Sequence, residues 1–362
     1  MTFSTNDHAA MARALALAER GLNSTTPNPR VGCVLLRDGQ IVGEGWHRRA
    51  GEPHAEVLAL AAAADAARGA TAYVTLEPCS HFGRTPPCAD ALDKAGIARV
   101  VAAMQDPNPR VAGSGLARLR AAGIEVECGL MMEEARELNI GFVSRMTRNR
   151  PWVRLKAAAT LDGKTALENG ASQWITGPVA RADGHRWRAR ACAILTGIGT
   201  VKADDPQLTV RDAPCERQPL RILVDAKLEV PPAARILQGA PILIATASTD
   251  APRLRALAAS GHRILSLPAT GDRIDLPFLL RELAALELNE IHIEAGAGLN
   301  GALLAAGCVD ELLLYLAPKI VGNAARGMFD LPALTALDGA ARFRIRECTM
   351  AGEDVRVIAR MT

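Results

Sequence analysis

His54 and Glu56, one residue apart, and Cys79 and Cys88 further along are the residues whose types and spacing point most directly to chemistry. Zinc prefers four tetrahedral ligands, and a catalytic site takes three from protein and leaves the fourth position to water. One histidine and two cysteines, His54, Cys79 and Cys88, meet that requirement. His54 follows Pro53 at the start of an expected helix, and Cys79 ends an expected strand. Cys88 opens the next helix, where the N-terminus favours the thiolate that a metal needs. Glu56 is then available as a general acid/base that takes a proton from water and passes it to a leaving group. A purely structural zinc would close with a fourth ligand. His47 and His81 are the candidates in sequence, but such a site gives Glu56 no purpose. The remaining cysteines, Cys33, Cys128, Cys192, Cys215, Cys308 and Cys348, lack metal-like spacing and are expected to be buried small apolar side chains.

The order H-x-E, P-C, C is that of zinc deaminases of nucleobases, in which the glutamate serves the leaving ammonia. Here eight residues rather than two separate the cysteines. A second constellation is Gly296, Ala297, Gly298, Leu299, Asn300 and Gly301, a literal G-x-G-x-x-G expected between a strand and a helix. Backbone amides there can hold a pyrophosphate. A Rossmann site also carries an acidic residue about twenty positions on, but this chain reads Leu316, Ala317, Pro318 and Lys319 there. The loop is therefore expected to bind phosphate in a different fold, with nothing to read the free 2′-hydroxyl of NAD. The alternative is a glycine-rich turn with no ligand. Lys156 and Glu294 lie on otherwise apolar strands, a placement that often marks function.

The elements that must carry these residues alternate. In the first half, helices are expected over residues 7–20, 53–68, 88–95, 116–121 and 133–143, the first capped by Thr5, Asn6 or Asp7 and stopped by Gly21. Strands are expected over 31–36 and 40–44, as a hairpin around Asp38 and Gly39, and over 72–76, 99–103 and 125–128. A hairpin followed by helix–strand units implies a mixed sheet with helices on its faces. The polar segment 148–151, ending in Pro151, marks the boundary. Beyond it, strands are expected over 152–159, 193–196, 221–224, 242–245, 263–266, 290–294 and 311–316, with a terminal hairpin of 342–346 and 354–359. The chain is thus α/β with two domains, 1–149 and 150–362.

Bulk properties narrow the function. The chain has 362 residues and a net charge of +3, and residues 1–149 hold 16 basic and 16 acidic side chains. A nucleic-acid binder usually displays a basic stripe; this neutral half shows none. The N-terminus has no apolar signal core, and stretches such as 57–64 are too short to span a bilayer. A cytoplasmic protein with thiols rather than disulfides is expected, with no membrane or nucleic-acid partner.

Further motifs carry a resemblance. Residues 80–87 (SHFGRTPP), 27–32 (PNPRVG), Gly45-Trp46-His47 and Asp106-Pro107-Asn108-Pro109 resemble the deaminase half of bifunctional riboflavin biosynthesis enzymes. Residues 155–165, 172–176, 200–206 and 208–211, with Arg188 and Glu294, are similar to the reductase half of the same enzymes. The resemblance implies a cytidine deaminase-like three-layer domain followed by a dihydrofolate reductase-like domain. It implies one zinc per chain, NADPH, a small phosphoribosyl pyrimidine as substrate and a homo-oligomer. The implied reactions are hydrolytic deamination of 2,5-diamino-6-ribosylamino-4(3H)-pyrimidinone 5′-phosphate, then reduction of 5-amino-6-(5-phosphoribosylamino)uracil. By analogy Ala158, Trp174, Thr200, Asp204, Gly296, Ala297, Gly298, Leu299, Asn300, Gly301 and Ala302 contact NADPH, and Ser172, Arg188, Leu208, Arg211 and Glu294 contact the substrate. Arg188 and Arg211 suit a ribose phosphate, and Lys156 or Glu294 could orient or protonate the sugar. The family pattern often places a hydroxyl residue where Ala226 follows Asp225, so this chain departs from the pattern at one cofactor contact. The rival readings are a nucleic-acid-modifying zinc deaminase with a fused binding domain, and a zinc-stapled scaffold that binds nucleotide without turnover.

Overall fold

In the computed structural model, which describes residues 3–80, 86–271 and 273–362, helix α1 (Thr5–Glu19) starts from Ser4. Ser4 Oγ accepts from the Asp7 amide while Asp7 accepts from the Ser4 amide, a reciprocal capping box. The cap thus sits one residue before the expected run of Thr5, Asn6 and Asp7, each of which is also a good capping type. Asp7 does more: it accepts from the Tyr73 hydroxyl at 2.6 Å and from Arg99 at 2.7 Å, fastening α1 to the sheet beneath.

The chain divides into two compact units, Met1–Asn149 and Arg150–Thr362. The first is built on β1 (Gly32–Arg37), β2 (Gln40–Trp46), α2 (Ala55–Ala63), β3 (Thr71–Val74), α3 (Cys88–Lys94), β4 (Arg99–Ala102), α4 (Ser114–Ala121), β5 (Glu125–Cys128), α5 (Met132–Leu138) and α6 (Ile140–Arg148). The strand order is β2-β1-β3-β4-β5, antiparallel at the hairpin and parallel from β3 to β5. Asp38 and Gly39 both take positive φ, 50° and 75°, as the tight hairpin turn requires. One apolar layer joins α1 and α5 to the sheet through Met11, Ala14, Val34, Tyr73, Val101 and Ala135. Another joins α2, α3 and α4 through Ala55, Ala59, Val74, Leu92, Val100 and Leu119. Alanine-rich faces allow those helices to lie close.

Two expected helices are each divided in the structure. The helix expected over 53–68 is α helical only to Ala63, then a 3-10 turn over Ala64–Ala67. The helix expected over 133–143 is two, broken at Asn139, whose side chain bonds both the Arg30 amide and the Arg30 carbonyl. The apolar period continues across that break, so only a distant partner reveals it. Cys128 and Cys348 are exposed and Cys215 is half-buried, against the expectation of burial; Cys128 and Cys348 lie on strands at sheet edges.

The second unit contains β6 (Trp152–Thr160), β7 (Lys164–Ala166), α7 (Pro178–Arg190), β8 (Ala193–Gly197), α8 (Ile198–Asp204), β9 (Leu220–Val224), β10 (Leu243–Thr246), α9 (Ala251–Ala259), β11 (Arg263–Ser266), β12 (Ala269–Thr270) and β13 (Arg273–Ile274). It continues with α10 (Leu276–Ala285), β14 (Glu290–Ile293), α11 (Ala297–Ala305), β15 (Glu311–Ala317), β16 (Arg326–Gly327), β17 (Phe343–Ala351) and β18 (Asp354–Met361). Nine strands form one sheet in the order β11-β10-β9-β8-β14-β6-β15-β18-β17, parallel except for the terminal hairpin. On one face Val153, Leu155, Ile291, Ile293 and Leu312 pack on Leu280 and Leu283 of α10 and Leu303 of α11. The α7 face differs. There Arg154, fully buried, bonds Glu290 at 3.2 Å and Glu311 at 2.5 Å, Arg190 bonds Glu290 at 2.8 Å, and Arg360 bonds Glu311 at 2.9 Å. Burial works against the charge on Arg154, but Glu311 and Glu290 outweigh it and hold the guanidinium protonated. Its plane stacks 4.4 Å from the ring of Trp187 on α7. Among the described residues no helix is long and apolar enough to cross a membrane.

Candidate functional site

The first site forms where β3 and α2 bring their ends together. His54 is the residue preceding α2, in extended conformation (φ −74°, ψ 164°), and its side chain does not cap the helix. Its Nδ1 lies 3.2 Å from Cys88 Sγ and 3.7 Å from Cys79 Sγ. The ligand atoms of His54, Cys79 and Cys88 all fall within 4.8 Å of one another. A tetrahedral zinc with bonds of about 2.0–2.3 Å separates its ligand atoms by roughly 3.5–3.8 Å, so the donor set fits that ion. A hydrogen bond from the Cys88 thiol brings the Cys79 thiol down to about 4, while the same bond and burial push Cys88 up. Glu56, the second residue of α2, is 3 % exposed, and burial raises its carboxyl to about 7 although His54 opposes the shift. It is therefore poised to accept and return a proton near neutrality.

His47 packs edge-on against the His54 ring at 5.3 Å but commits both ring nitrogens elsewhere, to the Pro53 carbonyl and Asn28. Among the described residues it joins no metal-ligand group. His81, the other candidate for a closed structural site, lies outside the described residues, as does most of the segment 80–87. One buried acid escaped sequence reasoning. Glu77 accepts backbone bonds from Asp106, Gly113, Gly115 and Leu116 at 2.8–3.3 Å, which fastens the loop beyond β4 to the strand end that carries Cys79. An ionisable residue two before a metal-type cysteine was the available signal.

The second site lies at the carboxyl ends of the parallel strands. Gly296 precedes α11 and its amide donates to Thr200 Oγ1 at 3.0 Å; no side chain caps the helix. A Cβ at Gly298 would meet nothing within 4 Å, so the loop backbone is open to approach. The third glycine has another purpose: a Cβ at Gly301 would lie 1.9 Å from the Asp330 carbonyl oxygen. Open amides at a helix start fit a dinucleotide phosphate. Asn300 turns inward and bonds Ala295 and Met328 carbonyls, and Leu299 packs beside Gly197. β15 is separated from β14 by β6, so the strand adjacency of a Rossmann site is absent.

Arg188 of α7 and Glu294 after β14 form a two-pronged ion pair, one prong at 2.8 Å, and Arg188 also donates to the Thr209 carbonyl at 3.0 Å. Burial works against the charge on Glu294, yet Arg188 holds its carboxyl well below the ordinary range. Lys156, half-buried beside them on β6, is lowered by burial, with Glu294 opposing and Arg188 assisting. Arg211 is exposed and bonds Thr209 Oγ1 at 3.1 Å, so its fork is less committed than that of Arg188. Trp174 is 64 % exposed and stacks on Arg181 at 4.6 Å, with its carbonyl held by Lys319; it is no core filler. Ser172, Ala158 and Ala302 are half-buried, and Asp204 is exposed at the end of α8. Leu208 buries its side chain in the cluster with Val201 and Leu223, which leaves its backbone for a ligand.

The comparisons fit both sites. Residues 4–104 match the cytidine and deoxycytidylate deaminase zinc-binding region, and residues 151–357 match the RibD C-terminal domain. The riboflavin biosynthesis protein RibD of Escherichia coli (strain K12) is 51 % identical over 362 residues, covering 96 % of this chain and 98 % of that one. Its counterpart in Haemophilus influenzae is 44 % identical, covering 99 % and 98 %. The solved structure of Acinetobacter baumannii RibD, form 1, superposes with a TM-score of 0.91 at 43 % identity over 99 % of each chain. That of a diaminohydroxyphosphoribosylaminopyrimidine deaminase/5-amino-6-(5-phosphoribosylamino)uracil reductase from Thermotoga maritima gives 0.87 at 34 %, again over 99 % of each. With both halves matched and relatives covered end to end, the chain belongs to the RibD family of bifunctional deaminase–reductases of riboflavin biosynthesis.

Proposed function

We propose that Met1–Asn149 deaminates 2,5-diamino-6-ribosylamino-4(3H)-pyrimidinone 5′-phosphate and that Arg150–Thr362 reduces 5-amino-6-(5-phosphoribosylamino)uracil with NADPH. The observation that carries the first half is the trio His54, Cys79 and Cys88 beside buried Glu56. A zinc held by that trio supplies a Lewis acid that activates water at neutral pH. Glu56 takes the proton of the attacking water and returns it to the amino group, which leaves as ammonia.

In the second half NADPH, when bound, supplies a hydride to C1′ of the opened sugar. The open loop at Gly296, Ala297, Gly298 and Leu299 holds its pyrophosphate, Thr200 shapes that loop, and Trp174, Ala158 and Asp204 line the remaining length. Glu294 stays ionised against Arg188, so it orients the ribose rather than protonating it. Lys156 delivers the proton to the ring oxygen as the sugar opens. Arg211 takes the substrate phosphate, with Ser172 and the Leu208 backbone beside it. An edge strand, β17, with Ile345 and Met350 each 64 % exposed, supports a homo-oligomer that covers this edge.

The decisive assay follows NADPH absorbance with the diaminopyrimidine as sole substrate. The zinc-loaded chain should oxidise NADPH, and the metal-stripped chain should do so only when given the deaminated compound. Oxidation of NADPH in the absence of both compounds, or no oxidation with either of them, refutes the reading. The lack of an acid to read a free 2′-hydroxyl supports a further expectation. kcat/KM with NADPH should exceed that with NADH by at least about tenfold, the worth of one charge-assisted hydrogen bond of about 1.5–3 kcal/mol. Equal efficiencies would show that the loop argument is wrong.

A further inference from the structure

The cysteine pair poses a geometric problem. Two cysteines separated by two residues are held near each other by one turn of backbone. Here eight residues intervene. A flexible connector of that length lets its ends wander over about 15 Å, whereas the ligand atoms lie within 4.8 Å of one another. Part of the restraint is direct: the Cys88 amide donates to Cys79 Sγ at 3.3 Å and the Ala89 amide to the Cys79 carbonyl at 3.1 Å. Burial of Ala89 and Leu92 in the apolar layer seats α3 as a whole, and α4 adds a direct polar link between the two cysteine-bearing segments.

Arg118 on α4 forks onto the Asp90 carboxylate, Nε to Oδ1 at 2.6 Å and Nη2 to Oδ2 at 2.9 Å, while Nη1 donates to the Ser80 carbonyl at 3.1 Å. Ser80 is the residue after Cys79, and Asp90 is two residues past Cys88. One guanidinium therefore grips both cysteine-bearing segments. The start of the same helix is tied to the strand end before Cys79. Glu77 accepts from the Gly115 and Leu116 amides, and Ser114 Oγ lies 2.6 Å from Ser80 Oγ. Gly115 cannot carry a side chain, because a Cβ would fall 1.9 Å from the Pro78 carbonyl oxygen. The frame is thus stiff where Arg118 leaves it.

We propose that Arg118 is a positioning residue that fixes the separation of Cys79 and Cys88 for zinc, replacing across α4 the restraint that a short cysteine spacing would give. The inference rests on the zinc-site reading above. A planar fork can serve three acceptors in fixed directions, which an ammonium cannot. The side chain is 45 % exposed, and an isolated surface pair at that exposure contributes little. Its effect should therefore show in metal affinity, which outer partners of ligands alter by about 10–100-fold, and not in the folding of the chain.

The test titrates zinc into the full chain against a chromogenic chelator. Arg118→Ala should weaken zinc binding by about tenfold or more. Arg118→Lys should recover only part of it. Asp90→Asn should match Arg118→Ala, and the double variant should be no worse than either, since both remove one link. Arg120→Ala, on the same helix but with its guanidinium donating to the Val126 carbonyl at 3.3 Å, should bind zinc like the unsubstituted chain. At saturating zinc the deamination kcat of Arg118→Ala should return to the unsubstituted value, which a folding defect would not allow. Unchanged affinity in Arg118→Ala, equal losses in Arg118→Ala and Arg120→Ala, or additive losses at Arg118 and Asp90 would each overturn the proposal. An unsubstituted chain that binds no zinc would overturn the site itself, and the brace with it.

Discussion

Glu56→Gln should retain its zinc and lose about 10²–10⁴ in deamination kcat. The substitution keeps the size and hydrogen bonding of a side chain that is 3 % exposed, so the packing at the start of α2 is preserved. It removes the one group there that can hold a proton in transit. Because burial raises the Glu56 carboxyl to about 7, the native residue can both accept and donate near neutral pH; an amide can do neither. Zinc content by elemental analysis and single-turnover deamination together check the claim. Zinc retained with turnover near the unsubstituted rate would remove Glu56 from the chemistry. Zinc lost would make it a ligand instead.

The full chain carrying Cys79→Ser should lose zinc and deamination while reducing the deaminated pyrimidine with NADPH at the unsubstituted rate. A hydroxyl is a far poorer zinc ligand than a thiolate, and only two of the three protein ligands remain. The residues proposed for the reductase all lie in the second unit, Arg150–Thr362, which has its own apolar cores. A chelator should likewise abolish the first reaction and leave the second. Reduction that fails in a chain shown by circular dichroism to be folded would mean that the two activities are not independent, and the assignment of one to each unit would be wrong.

The residues whose chemistry is carried by type and spacing were legible. Among the described residues His54, Cys79 and Cys88 are the group that can hold a metal ion, and a helix–strand alternation with a turn at Asp38 and Gly39 was readable because each piece has a local cause. What could not be read depends on partners far along the chain. Asn139 breaks a helix because Arg30, 109 residues away, claims its side chain. Arg188 read as a fork suited to a ribose phosphate; its pairing with Glu294, delivered by strand β14 from 106 residues on, was not readable. Cys128 and Cys348 face solvent because their strands occupy sheet edges, and strand order is not written in the alternation of residues. Glu77 and Arg118 show the same limit: each acts by holding something remote in sequence.

The two faces of the nine-stranded sheet obey different rules of replacement. Toward α10 and α11 the contacts are apolar, so a substitution of similar volume disturbs only its neighbours. Toward α7 the chain Arg190–Glu290–Arg154–Glu311–Arg360 shares every carboxylate between two guanidiniums. Loss of Glu290 alone would take a carboxylate from two cations at once and leave fully buried Arg154 to share Glu311 with Arg360, whereas an apolar set of matching shape could replace the whole group. Sequence drift, or evolution in the laboratory, would therefore advance by single steps in the apolar layer and by concerted steps within this charged chain.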